Sequence, residues 1–353
     1  MLFGGNQMKL YSIYGAGQMG LATIDLLRNK GILISDVIDK NASILPPYIE
    51  GIPVISPEMF DEEKRISNTI IICVAICSYL DIEKILKSEG FLTIVPCHKF
   101  IQDIYSNKVL TNLWSFPEDK VGKIKQWLKV VHDFLYDDYS KSQFDYANFF
   151  FNNHYDSPDF NAYAPKEKYY PTEICEVLTE NEVILDTFSL DRVYLEKYKA
   201  KIGKFNHYYL FGGTENCQEN DGITENTIEL GGHCGELTIE RMGIMRPYTK
   251  SGLVKIRVDS IDSQMKGKKF TFLRCYSMSP CKAILEGGIK SIKKNRPVIA
   301  VNIGHYLEDF VGIPLLLMTE LKAYKWIYRQ HGYYGNDSIL YGLPEERKIK
   351  VAK

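Results

Sequence analysis

A glycine-rich turn between a strand pattern and a helix pattern restricts most strongly how this chain can fold. Lys9 to Tyr14 has the β-branched and aromatic residues of a short strand, and the turn Gly15 to Gly20 (G-A-G-Q-M-G) follows at once. Apolar residues recur at helical spacing from Met19 to Asn29, and a second strand pattern ends at Asp39. Strand, G-x-G-x-x-G, helix, strand and acid is the order typical of a nucleotide-binding βαβ unit.

The residue types of this turn suit phosphate binding. In such a unit Gly15, Gly17 and Gly20 let a phosphate reach backbone amides at the start of the helix, and Asp39 accepts hydrogen bonds from ribose hydroxyls. We therefore expect a nucleotide or a nucleotide-sugar as the small-molecule ligand here. The alternative is a turn whose glycines only pack the helix against the strand, and the pattern leaves both interpretations open.

The 353 residues are enough for two domains that each bury a core. Strand and helix patterns alternate to about residue 105 and resume at residue 182, with amphipathic helices between them. The pattern predicts an α/β protein with two doubly wound Rossmann-like domains: a nucleotide-binding domain at 8–108, a helical bridge at 109–178, and a second domain at 179–345.

Local patterns give further elements of the second domain. We predict strands at His207–Phe211 and Thr227–Leu230, an edge strand at Val254–Asp259, a helix over Gly312–Tyr328 and a closing strand at Ser338–Tyr341.

Composition and charge exclude several classes of protein. The net charge of −1 gives no electrostatic basis for binding nucleic acid or an anionic membrane surface. No apolar run approaches the roughly 20 residues of a membrane-spanning helix. The eight cysteines have neither disulfide nor zinc spacing, which indicates a reducing cytoplasm. Cys217, His233 and Cys234 have no fourth ligand at zinc-like spacing, so we expect no metal site. A homo-oligomer is left open.

A second strand end with an acid begins the larger domain. Val183 to Leu185 is an apolar run that leads into Asp186, followed by a turn toward a helix. A cofactor binds at such a strand end in open α/β sheets, and its close approach usually requires glycine. Here the turn contains Phe188, Leu190 and Arg192, and no glycine.

On these segments, residues 169–344 resemble the FkbM family of S-adenosylmethionine (SAM) dependent methyltransferases. Ala300–Asp309 looks like the family segment A-i-s-v-Y-H-x-x-E-D, and Tyr324–His331 looks like its Y-x-x-Y-L-R-H-Y helix end. Asp186–Tyr194 stands where the family has D-x-G-A-x-x-G-x-T, and only the acid matches. Arg274–Cys281 stands where it has K-x-D-x-E-G-x-E, without the three carboxylates. The first domain looks like the nucleotide- or NDP-sugar-binding module that some members carry in front.

The resemblance implies a methyltransferase fold and SAM-dependent O-methyl transfer to a sugar hydroxyl in surface-glycan or polysaccharide biosynthesis. It places Asp186 at the cofactor and allows His305 as a general base, although a histidine bonded to the following turn is the alternative. The family's Glu-Pro, whose acid binds the cofactor ribose, is replaced by Gly212-Gly213. We expect weak SAM binding or none, because the ribose hydroxyls and sulfonium lose their partners.

Whether the chain is an enzyme stays open at this point. One alternative is a non-catalytic protein that binds a nucleotide-sugar or serves as a scaffold. Another is a nicotinamide-dependent sugar oxidoreductase, although no Tyr-x-x-x-Lys set accompanies the glycine turn.

Overall fold

The computed structural model describes residues 10–74, 77–104, 118–152, 167–188, 192–212, 219–220, 222–241, 252–276, 281–304, 307–332 and 337–347. The chain divides into two compact units. The first consists of Met1–Lys108 and Glu240–Leu253, and the second of Val109–Ile239 and Val254–Lys353. Within the described residues, no helix combines the length and apolar character that crossing a membrane requires.

The first unit alternates short strands with helices. Its elements are β1 Tyr11–Tyr14, α1 Gln18–Arg28, β2 Ile34–Ile38, the 3-10 helix Ala42–Ile44, β3 Tyr48–Ile49, β4 Ile52–Ile55, the 3-10 helix Pro57–Met59, α2 Glu62–Ser67, β5 Thr69–Ile72, α3 Tyr79–Ser88, β6 Thr93–Pro96 and α4 Cys97–Ile104.

The six strands of this unit form one sheet in the order β3-β4-β2-β1-β5-β6. Strand β1 pairs in parallel with β2 on one side and with β5 on the other. The chain therefore leaves β1 in one direction and later returns to its opposite side. This reversal opens a crevice at the carboxyl end of β1, where ligands bind in open α/β sheets.

The second unit contains a larger set of elements. These are α5 Glu118–Phe134, α6 Asp138–Asn152, α7 Thr172–Cys175, β7 Val183–Asp186, α8 Val193–Lys201, β8 His207–Leu210, β9 Glu219–Asn220, β10 Ile223–Glu225, β11 Glu229–Leu230, β12 Gly235–Arg241, β13 Gly252–Asp259, α9 Ile261–Gln264, β14 Phe272–Cys275, α10 Cys281–Glu286, α11 Ile289–Asn295, β15 Val298–Asn302, α12 Leu307–Glu320, β16 Tyr324–Gln330 and β17 Ser338–Pro344. Of these, β12 and β13 each have two residues in the segment Glu240–Leu253 of the first unit.

The main sheet of this unit has eight strands in the order β16-β17-β15-β14-β7-β8-β10-β9. Strand β7 lies between β14 and β8 and is parallel to both, so its carboxyl end is again the point where the strand order reverses. Strands β15 and β17 are antiparallel, as are β17 and β16. The α/β class predicted from the sequence is therefore confirmed, with mostly parallel pairing around each central strand.

Two strands predicted for this unit differ from the structure in their bounds or in their position in a sheet. The strand that pairs with β8 on the side away from β7 is β10, Ile223–Glu225, and not Thr227–Leu230. Glu229–Leu230 instead pairs with β13 in a separate three-stranded sheet of order β11-β13-β12. Strand β13 is thus central in its small sheet, although its alternation predicted an edge.

The predicted helix over Gly312–Tyr328 is wrong beyond residue 320. Helix α12 ends at Glu320, and Tyr324–Gln330 forms a strand that pairs antiparallel with β17. The aromatic residues Tyr324, Trp326 and Tyr328 do alternate, as a strand requires, but Ile327 and Arg329 on the other face are also buried. Burial on both faces adds the apolar Ile327 to the aromatic positions, so Trp326, Ile327 and Tyr328 form a continuous apolar run that obscures the twofold period. The resemblance to a family helix end fails here for the same reason.

Helix α6 and the turn before it protect the open edge of β16. Tyr328 N donates to Ser140 Oγ at 3.0 Å, and Gln330 N donates to Gln143 Oε1 at 3.2 Å. Tyr136 N donates to Trp326 O at 2.8 Å. These bonds satisfy edge groups that otherwise invite pairing with another strand. Helices α5 and α6 therefore pack as part of the second unit.

Candidate functional site

The glycine turn of the first unit lies at the carboxyl end of β1, between β2 and β5. Gly15 has φ +110°, a conformation that favours glycine. A Cβ on Gly15 would lie 2.7 Å from the carbonyl oxygen of Cys73, directly after β5. A side chain is excluded here by both conformation and space.

The other two glycines have different surroundings. Gly17 caps the start of α1 with φ −75°, and a Cβ there would meet no atom of the described part of the chain within 4 Å. A Cβ on Gly20 would lie 2.0 Å from the carbonyl oxygen of Gly15. Gly20 therefore permits close packing of α1 against the turn, whereas Gly17 leaves open space at the helix N-terminus. Open space beside the first-turn amides is what an anionic group needs.

Asp39 follows β2 and reaches the same turn. Its carboxylate accepts a hydrogen bond from Ala16 N at 2.8 Å and another from Asn41 N at 2.8 Å. Each carboxylate oxygen still has a further lone-pair direction. The fold thus brings the carboxylate of Asp39 to the glycine turn.

In the second unit, the equivalent strand end is closed by a buried ion pair. Asp186 at the end of β7 and Arg274 on β14 are register partners on adjacent parallel strands. Arg274 Nη1 donates to Asp186 Oδ1 at 2.5 Å, and the two side chains are 1% and 2% exposed. Arg274 Nη1 also donates to the carbonyl oxygen of Phe188 at 3.2 Å. Its Nε has no hydrogen-bond partner among the residues that the structure describes.

Aromatic rings enclose this ion pair. The guanidinium carbon of Arg274 lies 3.6 Å from the ring centroid of Tyr194 and 4.5 Å from that of Tyr169. Tyr208 donates its hydroxyl proton to Asp186 Oδ2 at 2.6 Å. Because a planar guanidinium stacks well on aromatic faces, the three tyrosines hold the cation and the anion in place.

The environment keeps Arg274 charged. Burial acts to lower the pKa of Arg274, but Asp186 and the surrounding tyrosines outweigh it, so that its pKa is raised. Burial raises the pKa of Asp186, while Arg274, the Tyr208 hydroxyl and the Phe188 amide all act to lower it. Each partner therefore supplies the charge that makes burial of the other tolerable.

A second cation lies against the same rings. Lys168 pairs with Asp337, and its ammonium group lies 5.4 Å from the ring centroids of both Tyr169 and Tyr276. Burial acts to lower the pKa of Lys168, yet Asp337 and the neighbouring tyrosines raise it overall. Two cations, each with its own carboxylate, therefore surround the tyrosines at this end of the sheet.

The turn that follows Asp186 contains no glycine, and its residues 189–191 lie outside the described residues. Arg192 stands just before α8 with φ +23°, in a region where glycine is favoured, and its guanidinium pairs with Glu225. Gly212, at the end of the neighbouring strand, has φ +75° and donates its amide to Ile228 O at 3.0 Å. Gly212 itself has no carboxylate for ribose hydroxyls, and residues 213–218 after it lie outside the described residues.

Of the other residues named from the sequence, some lie outside the described residues, and the rest are buried or cap a helix. His305 lies outside the described residues, as does Leu190. Asp309, in the segment that resembles a family motif, accepts from Cys281 N at 2.7 Å and Lys282 N at 3.1 Å and so caps α10. Asn302, at the end of β15, is buried, and its Nδ2 has no partner within the described ranges.

Sequence reasoning identified Asp186 but missed its partners. Arg274 lies in the apolar run that begins at Phe270, and a charge inside a buried strand requires an opposite charge nearby. That rule would have directed attention to the acid at a neighbouring strand end. The tyrosine partners have no comparable signal, because each lies on a different element.

Comparison with known proteins gives a likeness of fold. No protein-family model matches the chain, and no curated protein matches it in sequence. Among solved structures, the methyltransferase FkbM from Methylobacillus flagellatus KT has a TM-score of 0.66 at 16% identity, covering 95% of this chain and 90% of that chain. At this identity the likeness concerns the fold. The chain therefore has a methyltransferase-like α/β fold.

Proposed function

We propose that this chain is a methyltransferase-fold protein of sugar or surface-glycan metabolism that binds a nucleotide or nucleotide-sugar at the glycine turn of its first unit and does not use SAM. On this view the second unit keeps the fold of an ancestral O-methyltransferase and acts as a binding or assembly module.

The Asp186–Arg274 ion pair is the observation that carries the proposal. SAM is a cation, and an acid at this strand end would be its natural partner. Here an internal cation already neutralises that acid and stacks on Tyr194. Entry of SAM would require removal of Arg274 from its carboxylate, which leaves a buried charge at a cost of about 3–5 kcal/mol. The residues present do not fit the methyl donor.

The glycine turn of the first unit has the features that an anionic nucleotide ligand requires. Its strand end combines open space at Gly17, a helix N-terminus of 11-residue α1 and the carboxylate of Asp39. A diphosphate fits the helix start, because aligned backbone dipoles favour negative charge there. Asp39 would accept hydrogen bonds from ribose hydroxyls. The sugar context rests on the resemblance of the sequence to the FkbM family.

Isothermal titration calorimetry with four ligands tests the proposal. A UDP-sugar and a GDP-sugar sample the proposed class, SAM samples methyl transfer, and NAD samples the oxidoreductase alternative. We expect binding heat from at least one nucleotide-sugar and none from SAM. Gly17→Val should abolish that heat, because the new side chain fills the space of the phosphate.

Gly235→Val is the matched control, since a Cβ at Gly235 makes only ordinary contacts, the nearest at 3.8 Å to His233. It should bind as the unaltered chain does. Micromolar binding of SAM would overturn the proposal in favour of a methyltransferase. Binding of NAD without any nucleotide-sugar would favour the oxidoreductase.

A further inference from the structure

Two buried thiols lie behind the glycine turn of the first unit. Cys73 directly follows β5 and is 2% exposed, and Cys97 is the first residue of α4 and is 1% exposed. Both are free thiols, and the proposed nucleotide site uses neither of them. A buried cysteine by itself behaves as a small apolar side chain. The arrangement of the two therefore decides whether they have a further role.

The sheet brings the two cysteines side by side. Strands β5 and β6 are parallel, and Ile72 and Pro96 are their last register pair. Cys73 and Cys97 each follow this pair directly. Neighbouring strands lie about 4.8 Å apart, and a disulfide joins Cα atoms that are roughly 4.4–6.8 Å apart. The pairing of β5 with β6 therefore brings the two cysteines within the range of a disulfide.

One hydroxyl group of α1 contacts both thiols. Thr23 Oγ1 lies 3.0 Å from Cys97 Sγ, and it accepts a hydrogen bond from Cys73 Sγ at 3.4 Å. The hydroxyl proton of Thr23 is donated to Met19 O at 2.7 Å. Because a hydroxyl has one proton and two lone pairs, both thiols act as donors to Thr23. The two sulfur atoms thus converge on one oxygen atom of α1.

The two thiols differ in their readiness to ionise. Hydrogen bonding with Cys73 lowers the pKa of the Cys97 thiol below its ordinary value, although burial acts to raise it. Burial raises the pKa of the Cys73 thiol. Because the thiolate is the nucleophile, Cys97 is the thiol that reacts first with an oxidant. Cys73 is then the neighbour that can convert the product to a disulfide.

Oxidation of this pair would affect the glycine turn through two contacts. A Cβ on Gly15 would lie only 2.7 Å from Cys73 O, so the backbone of Cys73 packs directly against the turn. A disulfide has no thiol proton, so the hydroxyl oxygen of Thr23 would lose both of its donors. Thr23 lies in the second turn of α1, close to the first-turn amides that face the open space at Gly17.

We propose that Cys73 and Cys97 form a reversible disulfide that loosens the start of α1 and so weakens ligand binding at the glycine turn. A pair that is reduced in the resting chain and oxidised reversibly is the kind found in redox sensors. The effect on ligand binding rests on the proposed function of the first unit, whereas formation of the disulfide does not.

The oxidant is a peroxide, because both sulfur atoms are buried and the reagent has to be small. The Cys97 thiolate attacks one oxygen of hydrogen peroxide, the O–O bond breaks, and the leaving hydroxide takes up the thiol proton as water. The Cys73 sulfur then attacks the sulfenic acid of Cys97, the S–O bond breaks, and hydroxide leaves as water with the Cys73 proton. Two electrons have then passed from the two thiols to the peroxide.

Peptide mapping of the full chain tests formation of the bridge. The folded chain is treated with hydrogen peroxide, its remaining thiols are blocked with iodoacetamide, and it is digested without reductant. We expect a cross-linked peptide that joins Cys73 to Cys97 and that dithiothreitol separates. Cys97→Ala should abolish this peptide. The matched control Cys77→Ala removes a half-buried thiol of the same unit and should leave the peptide unchanged.

Hydrogen exchange tests the effect on α1 without any ligand. We expect the backbone amides of residues 21–24 to exchange about tenfold faster after oxidation, and dithiothreitol to restore the original rate. Thr23→Val removes the shared acceptor and keeps the shape of the side chain. In this variant exchange should already be fast in the reduced chain, and oxidation should change it little although the disulfide still forms.

Calorimetry with a UDP-sugar and a GDP-sugar measures the consequence for the proposed ligand. For the nucleotide-sugar that binds the reduced chain, we expect oxidation to raise the dissociation constant by about tenfold or more. Cys97→Ala should bind equally with and without peroxide, since it cannot form the bridge.

Three results would contradict the proposal or the function on which it rests. A digest without the Cys73–Cys97 peptide, or with Cys97 oxidised to a sulfinic acid in its place, overturns the disulfide. A bridge that changes neither the exchange of α1 nor the affinity excludes control of the turn. If the reduced chain binds no nucleotide-sugar, the proposed function fails, and mapping and exchange still decide the disulfide and its effect on α1.

Discussion

Arg274 carries a charge that the second unit cannot leave unpaired. Its guanidinium and the carboxylate of Asp186 are both buried, and each supplies the opposite charge that compensates the other for its lost hydration. A buried pair of this kind contributes little net stability relative to apolar residues, but breaking it is costly. The same property would oppose any ligand that has to displace Arg274 from the carboxylate of Asp186.

Removal of Arg274 alone should therefore destabilise the protein strongly. Arg274→Met leaves the Asp186 carboxylate uncompensated, and we expect the free energy of unfolding to fall by about 3–5 kcal/mol. Adding Asp186→Asn should recover part of the loss, because a neutral amide oxygen can still accept from Tyr208. Urea denaturation of the single and double variants measures the difference. A double variant no more stable than Arg274→Met would show that the charge is not responsible.

Glu182, just before β7, is a second buried carboxylate. Its pKa is lowered, whereas that of Asp186 is raised. It accepts from Arg347 Nη1 at 2.8 Å and Nη2 at 3.0 Å and from Thr179 N at 3.1 Å. Burial acts to raise the pKa of Glu182, but the bonds from Arg347 and Thr271 outweigh it and lower the pKa below 4.5. Folding therefore favours the ionised form, and this contribution to stability is complete above the ordinary pKa.

Acid should remove that contribution. As the pH falls below 4.5 and through the lowered pKa of Glu182, the folded state has to take up a proton that the unfolded chain already binds, so stability is lost. Glu182→Gln lacks this titration. We expect its free energy of unfolding to depend less steeply on pH between about pH 5 and pH 3 than that of the unaltered chain. Parallel slopes in urea titrations would contradict the assignment.

At the scale of elements, the three glycines of the turn between β1 and α1 have different structural roles, which the sequence does not distinguish. Gly15 satisfies a backbone conformation, Gly20 lets α1 approach the turn, and Gly17 leaves the helix start uncovered. Only the last of these would affect the proposed ligand directly. Two glycines of the motif thus serve the packing of helix against strand, and the third leaves the helix N-terminus uncovered.

Alanine substitutions should distinguish the packing role of Gly20 from the open position of Gly17 by their effect on the free energy of unfolding. Gly20→Ala gains about 1 kcal/mol of helix propensity, but its Cβ would lie 2.0 Å from Gly15 O, and the clash outweighs the gain. We expect a net loss of more than about 2 kcal/mol for this variant. Gly17→Ala meets no atom and should change the free energy of unfolding by less than about 1 kcal/mol. Thermal denaturation of the two variants side by side checks the ranking, and equal losses would contradict it.

At the scale of the whole molecule, the chain has two units with separate sheets and separate apolar cores. The likeness to the solved FkbM structure covers 95% of the chain and so takes in both units. The two sheets place their strand-order reversals at β1 and β7, and the two strand ends differ in chemistry. One presents open backbone and an acid, and the other presents a closed ion pair among tyrosines.

Ligand effects on the stability of the whole chain should reflect that difference. A ligand that binds only the folded protein raises the free energy of unfolding by mass action, by about 2.7 kcal/mol at a concentration of 100 times its dissociation constant. We expect a nucleotide-sugar to stabilise the chain in this way and SAM at the same concentration to have no effect. Scanning calorimetry with the Gly17→Val variant as control measures it. Equal stabilisation of the variant would place the ligand elsewhere.

The sequence by itself determined the α/β class and the order of strand, turn and helix in the first unit, because the periods of two and 3.6 residues and the glycine spacing are local properties. It also determined that Asp186 ends an apolar strand. Local pattern did not determine the segment Tyr324–Gln330, in which burial on both faces obscures the alternation of the aromatic residues. Pairing with β17 decides that this segment is a strand.

Only the tertiary structure decided what Asp186 does. Its partner Arg274 is 88 residues away in the chain, and the enclosing tyrosines come from three further places. A sequence pattern gives the residue at a strand end, but the contacts of that residue depend on which strands become neighbours. The acid that suggests a cofactor in the sequence is, in the folded chain, already neutralised by an arginine of the adjacent strand.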